Sequence, residues 1–115
     1  MILVQIIEEV QAQIICGNHL INREIDVTCA ADLMSDVLAC DIEPNTLLVT
    51  SLANSQVIRT AEMVELSAII FVRGKKPNQQ MVEMAEDFGV PLLCTKENMF
   101  NTCGKLYKLG LNGCW

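Results

Sequence analysis

Three short apolar runs without a polar break, residues 47–49 (LLV), 68–72 (AIIFV) and 91–94 (PLLC), constrain this chain more than any other feature. A strand covered on one face alternates apolar and polar residues. An unbroken run is what a strand covered on both faces requires. Each run is followed by a polar link and then by apolar residues at helical spacing: Val57, Ile58, Ala61 and Val64; Met81, Met84, Ala85 and Phe88; then Met99 or Phe100 with Cys103, Leu106 and Tyr107. Strand, link, helix and strand in this order build βαβ units, whose parallel strands are joined by right-handed crossovers. The expected class is α/β, with a mostly parallel sheet covered by helices on both faces.

The first half is less regular. Ile2, Leu3, Ile6, Ile7 and Val10 predict an amphipathic helix over residues 2–10, and residues 12–16 (AQIIC) a strand stopped by Gly17-Asn18. Alternation of Ile25, Val27 and Cys29 predicts a half-buried strand over residues 24–29. These two strands are expected to join the same sheet, in an antiparallel sense. A short helix over residues 33–39 is expected to turn Leu33, Val37 and Leu38 inward, with Asp32 as its N-cap. Asn78 and Thr95 are the expected caps of the later helices, and Gly89 and Gly110 their stops.

The chain has 115 residues, of which 51% are hydrophobic and only 4% aromatic. That is one domain, residues 1–115, able to bury its own core without disulfide staples. Its net charge of −6 argues against nucleic acid and anionic membranes as partners. No apolar run approaches the roughly 20 residues that span a bilayer. The opening MILVQIIEEV lacks the basic flank of a secretion signal, so a cytoplasmic location is expected. The six cysteines (Cys16, Cys29, Cys40, Cys94, Cys103, Cys114) show no C-x-x-C spacing, hence no local zinc or iron–sulfur pattern. They read as scattered thiols, with Cys114 near the terminus the most accessible. Neither a metal nor a cofactor is expected.

In parallel α/β sheets ligands bind beyond the carboxyl ends of the strands. Three links leave that edge here, residues 50–54, 73–77 and 95–96, each before a helix N-terminus whose free N–H groups favour an anion. Charge points the same way. Residues 1–65 hold ten acids and two bases, residues 66–115 four acids and six bases, three of them in Arg73, Lys75 and Lys76. Gly74 allows close backbone approach, and Arg73 offers a two-pronged contact. The expected ligand contacts are Thr50, Ser51, Asn54, Gln56, Arg73, Gly74, Lys75 and Lys76. The alternative is that RGKKP is a solvated turn. No phosphate-loop or dinucleotide fingerprint is present. His19, the one histidine, reads as a surface-loop residue. Asp32 and Asp36, four apart, would share a helical face beside Ser35, but capping explains Asp32 equally well. No residue stands in a recognisable nucleophile frame. The methionines, Met63, Met81 and Met84 among them, read as core.

Residues 31–38 (ADLMSDVL), 47–50, 54–61 (NSQVIRTA) and 71–77 (FVRGKKP) in this order resemble a small stand-alone DRTGG domain, over nearly the whole chain. The family's Asp-Arg falls on Ala53 and Asn54, and its Thr-Gly-Gly near Val72-Arg73-Gly74, with only Gly74 kept. The resemblance implies a three-layer α/β/α fold similar to the N-terminal domain of HPr kinase/phosphorylase. It also implies a regulatory rather than catalytic role, since larger members carry the domain beside CBS modules or phosphate acetyltransferases. Small members are often encoded near iron hydrogenase subunits and sensor kinases.

Three functions follow as expectations. The first is a non-enzymatic module binding a small anionic ligand, such as a nucleotide, at the carboxyl edge of the sheet. The second is an accessory protein that docks on a hydrogenase-type redox complex or a sensor protein, using excess apolar surface and the tail 111–115. The third is an iron–sulfur or thiol redox protein. A homodimer is expected, as the commonest oligomer.

Overall fold

A computed structural model describes residues 1–114. The chain runs α1 (Leu3–Val10), β1 (Gln13–Cys16), a 3-10 turn (Asn18–Leu20), β2 (Val27–Ala30), α2 (Met34–Ala39), β3 (Thr46–Thr50), α3 (Ser55–Val64), β4 (Ala68–Phe71), α4 (Gln79–Phe88), β5 (Leu92–Cys94), α5 (Met99–Lys108) and β6 (Asn112–Gly113). The six strands form one sheet in the order β1-β5-β4-β3-β2-β6. All neighbours are parallel except β1, which lies antiparallel on β5. The mostly parallel three-layer arrangement is the one expected.

Every residue of β3, β4 and β5 is buried, which is why these strands carry no alternation. Successive side chains still point to opposite faces. Leu48, Ile69, Phe71 and Leu92 meet Val57, Ile58, Ala61, Met81 and Ala85 in the α2–α3–α4 layer. Leu47, Val49, Ala68, Ile70 and Leu93 meet Leu3, Ile6, Val10 and Leu106 in the α1–α5 layer. At roughly 25 cal/mol per Å² of apolar surface removed from water, these two cores are the main source of stability.

Several expectations are corrected. β2 begins at Val27, and Ile25, though fully buried, sits before it in the α1–α5 core. β2 is parallel to both its neighbours rather than antiparallel. In α2 the buried residues are Met34 and Val37, while Leu33 and Leu38 are exposed. A six-residue helix has room for one i, i+3 pair inward, and the structure chooses the other register. Met63 and Tyr107 are also exposed, not core, and of the alternatives Met99 and Phe100 it is Met99 that packs against the α1–α5 core. Asn78 caps α4 and Gly89 stops it as expected, but α5 is capped by Asn98 rather than Thr95. β6 has no counterpart in the sequence pattern. Of the tail, Leu111 is buried and Trp115 lies outside the described residues.

Gly17 makes the sharp exit from β1. Its φ of +85° is left-handed, and a Cβ there would stand 2.6 Å from Pro91 Cα. Both the backbone geometry and the space demand glycine.

Candidate functional site

Loops 31–33, 51–54, 72–78 and 95–98 leave the carboxyl ends of β2, β3, β4 and β5, so chain connectivity gathers them on one edge. They are tied to one another by specific bonds. Thr50, fully buried, donates its hydroxyl to Asp32 Oδ1 (3.2 Å), and the Ser51 N–H donates to the same oxygen (2.7 Å). Thr50 Oγ1 also accepts from the Leu52 N–H (3.1 Å). Asp32 is therefore no helix cap. Leu33 occupies that position without a side-chain bond, and Asp32 instead holds the β3 loop. Because Asp32 lies outside α2, it also forms no helical pair with Asp36. Slight burial works against the Asp32 charge. The bonds from Ser51 and Thr50, with Arg73 nearby, outweigh it and hold the carboxyl below the usual carboxylate range.

The β4 loop turns on two successive left-handed residues, Arg73 (φ +60°) and Gly74 (φ +69°), and closes with Lys75 N–H donating to Val72 O (3.2 Å). Two positive φ values with an i to i+3 bond make a type I′ turn, for which glycine is natural and arginine is strained. The turn is pinned to the β5 loop: Arg73 N–H donates to Glu97 O (2.7 Å) and Gly74 N–H to Thr95 O (2.9 Å). All three N–H groups of residues 73–75 are thus occupied within the protein. An anion here would be held by side chains, not by a Gly74 backbone cradle. Arg73, Lys75 and Lys76 are exposed, and among the described residues none forms an ion pair, the two found being the amino terminus with Glu24 and Lys105 with Glu97 (3.3 Å).

The helix termini share a feature. α3, α4 and α5 are capped by Asn54, Asn78 and Asn98, whose side chains accept from Gln56, Met81 and Asn101 N–H. None of the three has an acid in its first turn. A neutral cap satisfies one donor but leaves the positive end of the dipole uncompensated. Single residues such as Asn78 were readable as caps; the repetition on one edge needed the fold.

Of the predicted contacts, Gly74 and Lys76 line a cleft that the others do not. It has a volume of about 410 Å³ and is lined also by Gln11, Gln13 and residues 94–97, on the β1 side. Thr50, Ser51, Asn54 and Gln56 stand on the α3 side, with Asn54 and Gln56 exposed, and are not in that wall. Arg73 lies between, close enough to act on Asp32 electrostatically. Sequence reasoning missed Asp32 and Thr95 as fixtures of this edge. Thr95, buried, donates its hydroxyl to Val10 O (2.8 Å), and its Oγ1 accepts from Glu97 N–H (3.2 Å).

The thiols offer little nucleophilicity. Burial pushes Cys16, Cys29, Cys94, Cys103 and Cys114 up from the ordinary thiol value. Cys114 is half-buried rather than open, and its carbonyl accepts from the Cys40 thiol (3.3 Å). Among the described residues no group of three or more His, Cys, Asp or Glu is placed to hold a metal ion, and no helix is long and apolar enough to cross a membrane.

No curated protein sequence matches the chain significantly. Among solved structures it is similar to the CBS and DRTGG domains of the regulatory region of Clostridium perfringens pyrophosphatase, determined in complex with the activator diadenosine tetraphosphate. The TM-score is 0.70 and the identity 13%. The match covers 90% of this chain and 45% of that one, so the chain spans less than half the length of that regulatory region. The DRTGG domain model matches residues 5–109. The chain belongs to the DRTGG domain family.

Proposed function

We propose that this chain is a non-catalytic regulatory module that senses a small anionic ligand, a nucleotide being the foremost class, at the carboxyl edge of its sheet. The carrying observation is electrostatic. Three neutral-capped helix N-termini and three cations outside any ion pair among the described residues meet on one edge, whose acids Asp32 and Glu97 are already engaged. Arg73, Lys75 and Lys76 would supply charge, Thr50, Ser51, Asn54 and Gln56 the polar contacts on the α3 side, and Gly74 the turn. The nucleotide activator bound by the similar pyrophosphatase region is in keeping with this class of ligand.

One helix terminus contributes about 0.3–1 kcal/mol toward an anion. Micromolar affinity needs about 8 kcal/mol, so a bare phosphate will bind weakly and a larger ligand must add contacts. The test is a thermal-shift series with inorganic phosphate, nucleoside mono- to triphosphates and dinucleoside polyphosphates. A nucleotide should raise the midpoint, and Arg73→Ala with Lys75→Ala should remove the shift. No shift with any of them, or a shift that survives the double variant, overturns the reading. Self-association is the companion expectation, with exposed Leu33 and Leu38 of α2 as its face. Light scattering of the wild type and of Leu33→Ser with Leu38→Ser checks it, a concentration-independent monomer counting against it.

A further inference from the structure

A cleft larger than the one at that edge lies elsewhere in the fold. It is a cleft of about 490 Å³ between α5 and the β2–β6 margin of the sheet, within the size range of small-molecule sites. Phe100, Cys103, Gly104 and Tyr107, spaced i, i+3, i+4 and i+7, form one wall along a single stripe of α5. Residues 28–30 of β2 form the floor, and Gly113 and Cys114 close one end. We propose that this cleft is a second binding site, for an uncharged planar ring system.

Four observations carry the assignment. First, none of the described lining residues is charged, in a chain with eight basic and fourteen acidic residues. An ionic guest would lose its hydration there without a partner, and a neutral one would not. Second, Phe100 and Tyr107 are 85% and 74% exposed. Two of the chain's five aromatic side chains therefore stand in water along the α5 wall of the cleft, where they can stack on a ring.

Third, Gly104 lies between them in mid-helix, where glycine is less favourable than alanine. A Cβ at this position would meet nothing within 4 Å, so the fold itself has no need of the glycine. The open space it leaves is on the cleft wall. Fourth, Thr28 Oγ1 is shielded from water and has no hydrogen-bond partner among the described residues. Cys29 packs in the α2–α3–α4 core, so strand alternation turns Thr28 toward α5. Its hydroxyl lacks a partner that a ring heteroatom or ring N–H reaching it would supply. A peptide strand is the poorer occupant, because β6 already pairs with Val27 and Thr28 along that margin.

The test titrates the full chain with the neutral fluorophore N-phenyl-1-naphthylamine. Saturable enhancement with one site per chain is expected. Gly104→Leu adds a side chain at the cleft wall, where its Cβ meets nothing within 4 Å, and favours the helix, so the unfolding midpoint should hold or rise while affinity falls about tenfold or more. Phe100→Ala should weaken binding severalfold, and Met63→Ala, exposed on α3, should leave it unchanged. Arg73→Ala with Lys75→Ala should also leave it unchanged, so this site and the anion site fail separately. Non-saturating enhancement, or Gly104→Leu binding like wild type, overturns the proposal. So does light scattering that finds a dimer which Gly104→Leu dissociates, because the cleft would then belong to a second copy.

Discussion

Asp32 shows how one side chain can be misread from its neighbours and still prove central. It stands two residues before a helix, one short of the cap position, and its carboxylate reaches to Thr50 and Ser51. Only the parallel pairing of β2 with β3 brings those groups within reach, and no local pattern reports it. Since its folded pKa lies below the unfolded value near 3.9, its charge stabilises the fold above that pH, and the contribution is lost as pH falls through the folded pKa. Asp32→Asn keeps an acceptor oxygen but removes the charge. Its stability deficit relative to wild type should be present at pH 6 and shrink toward pH 3, as followed by urea unfolding at each pH. At Gly17 the constraint is steric. Gly17→Ala should cost about 2–4 kcal/mol, from the left-handed backbone and the collision with Pro91, measurable as a lower urea midpoint.

Among the elements, legibility follows burial and length. β3, β4 and β5 were readable because strands buried on both faces must be apolar throughout, and α3 and α4 because ten residues give more than two turns of periodicity. α2 was readable as a helix but not in its facing, since Leu33, Met34, Val37 and Leu38 support two registers over six residues. β6, two residues long, exists only through its pairing with β2. On α5 the hydrophobic pattern named Tyr107, and Phe100 as the alternative to Met99, as core, and the structure leaves both aromatics beside a cleft. The departure of an apolar pattern from actual burial is informative in itself, because local rules fail most often where something other than folding is served. The caps are testable as elements. Asn78→Ala and Asn98→Ala should each cost about 1 kcal/mol by denaturant unfolding. Thr95→Ala should cost a similar amount for a different reason, by stranding the Val10 carbonyl and the Glu97 N–H.

For the whole molecule, the order β1-β5-β4-β3-β2-β6 gives the sheet two unlike margins. One is closed by an antiparallel strand packed through Gly17 against Pro91, the other by a two-residue strand. Truncation after Leu111 should leave the α1–α5 core in place but expose the Val27–Thr28 backbone, and unpaired edges recruit other chains. Light scattering should then show growth in mass with concentration beyond that of the full chain. The candidate anion edge was legible as a location, because strand ends and a basic loop can be read along the chain. Its inner arrangement was not. The pinning of Arg73 to Glu97, the engagement of all three turn N–H groups and the division of the predicted contacts between two sides arise from how four separate crossovers meet.

The three asparagine caps have a practical consequence for anyone seeking to toughen this domain. Aspartate caps a helix as well as asparagine and adds a favourable charge at the positive end. A heat-directed redesign would therefore write aspartate at positions 54, 78 and 98, and each change should raise the melting temperature. Together they would set three negative charges around the edge proposed here for the anion. The sturdier molecule would be the deaf one.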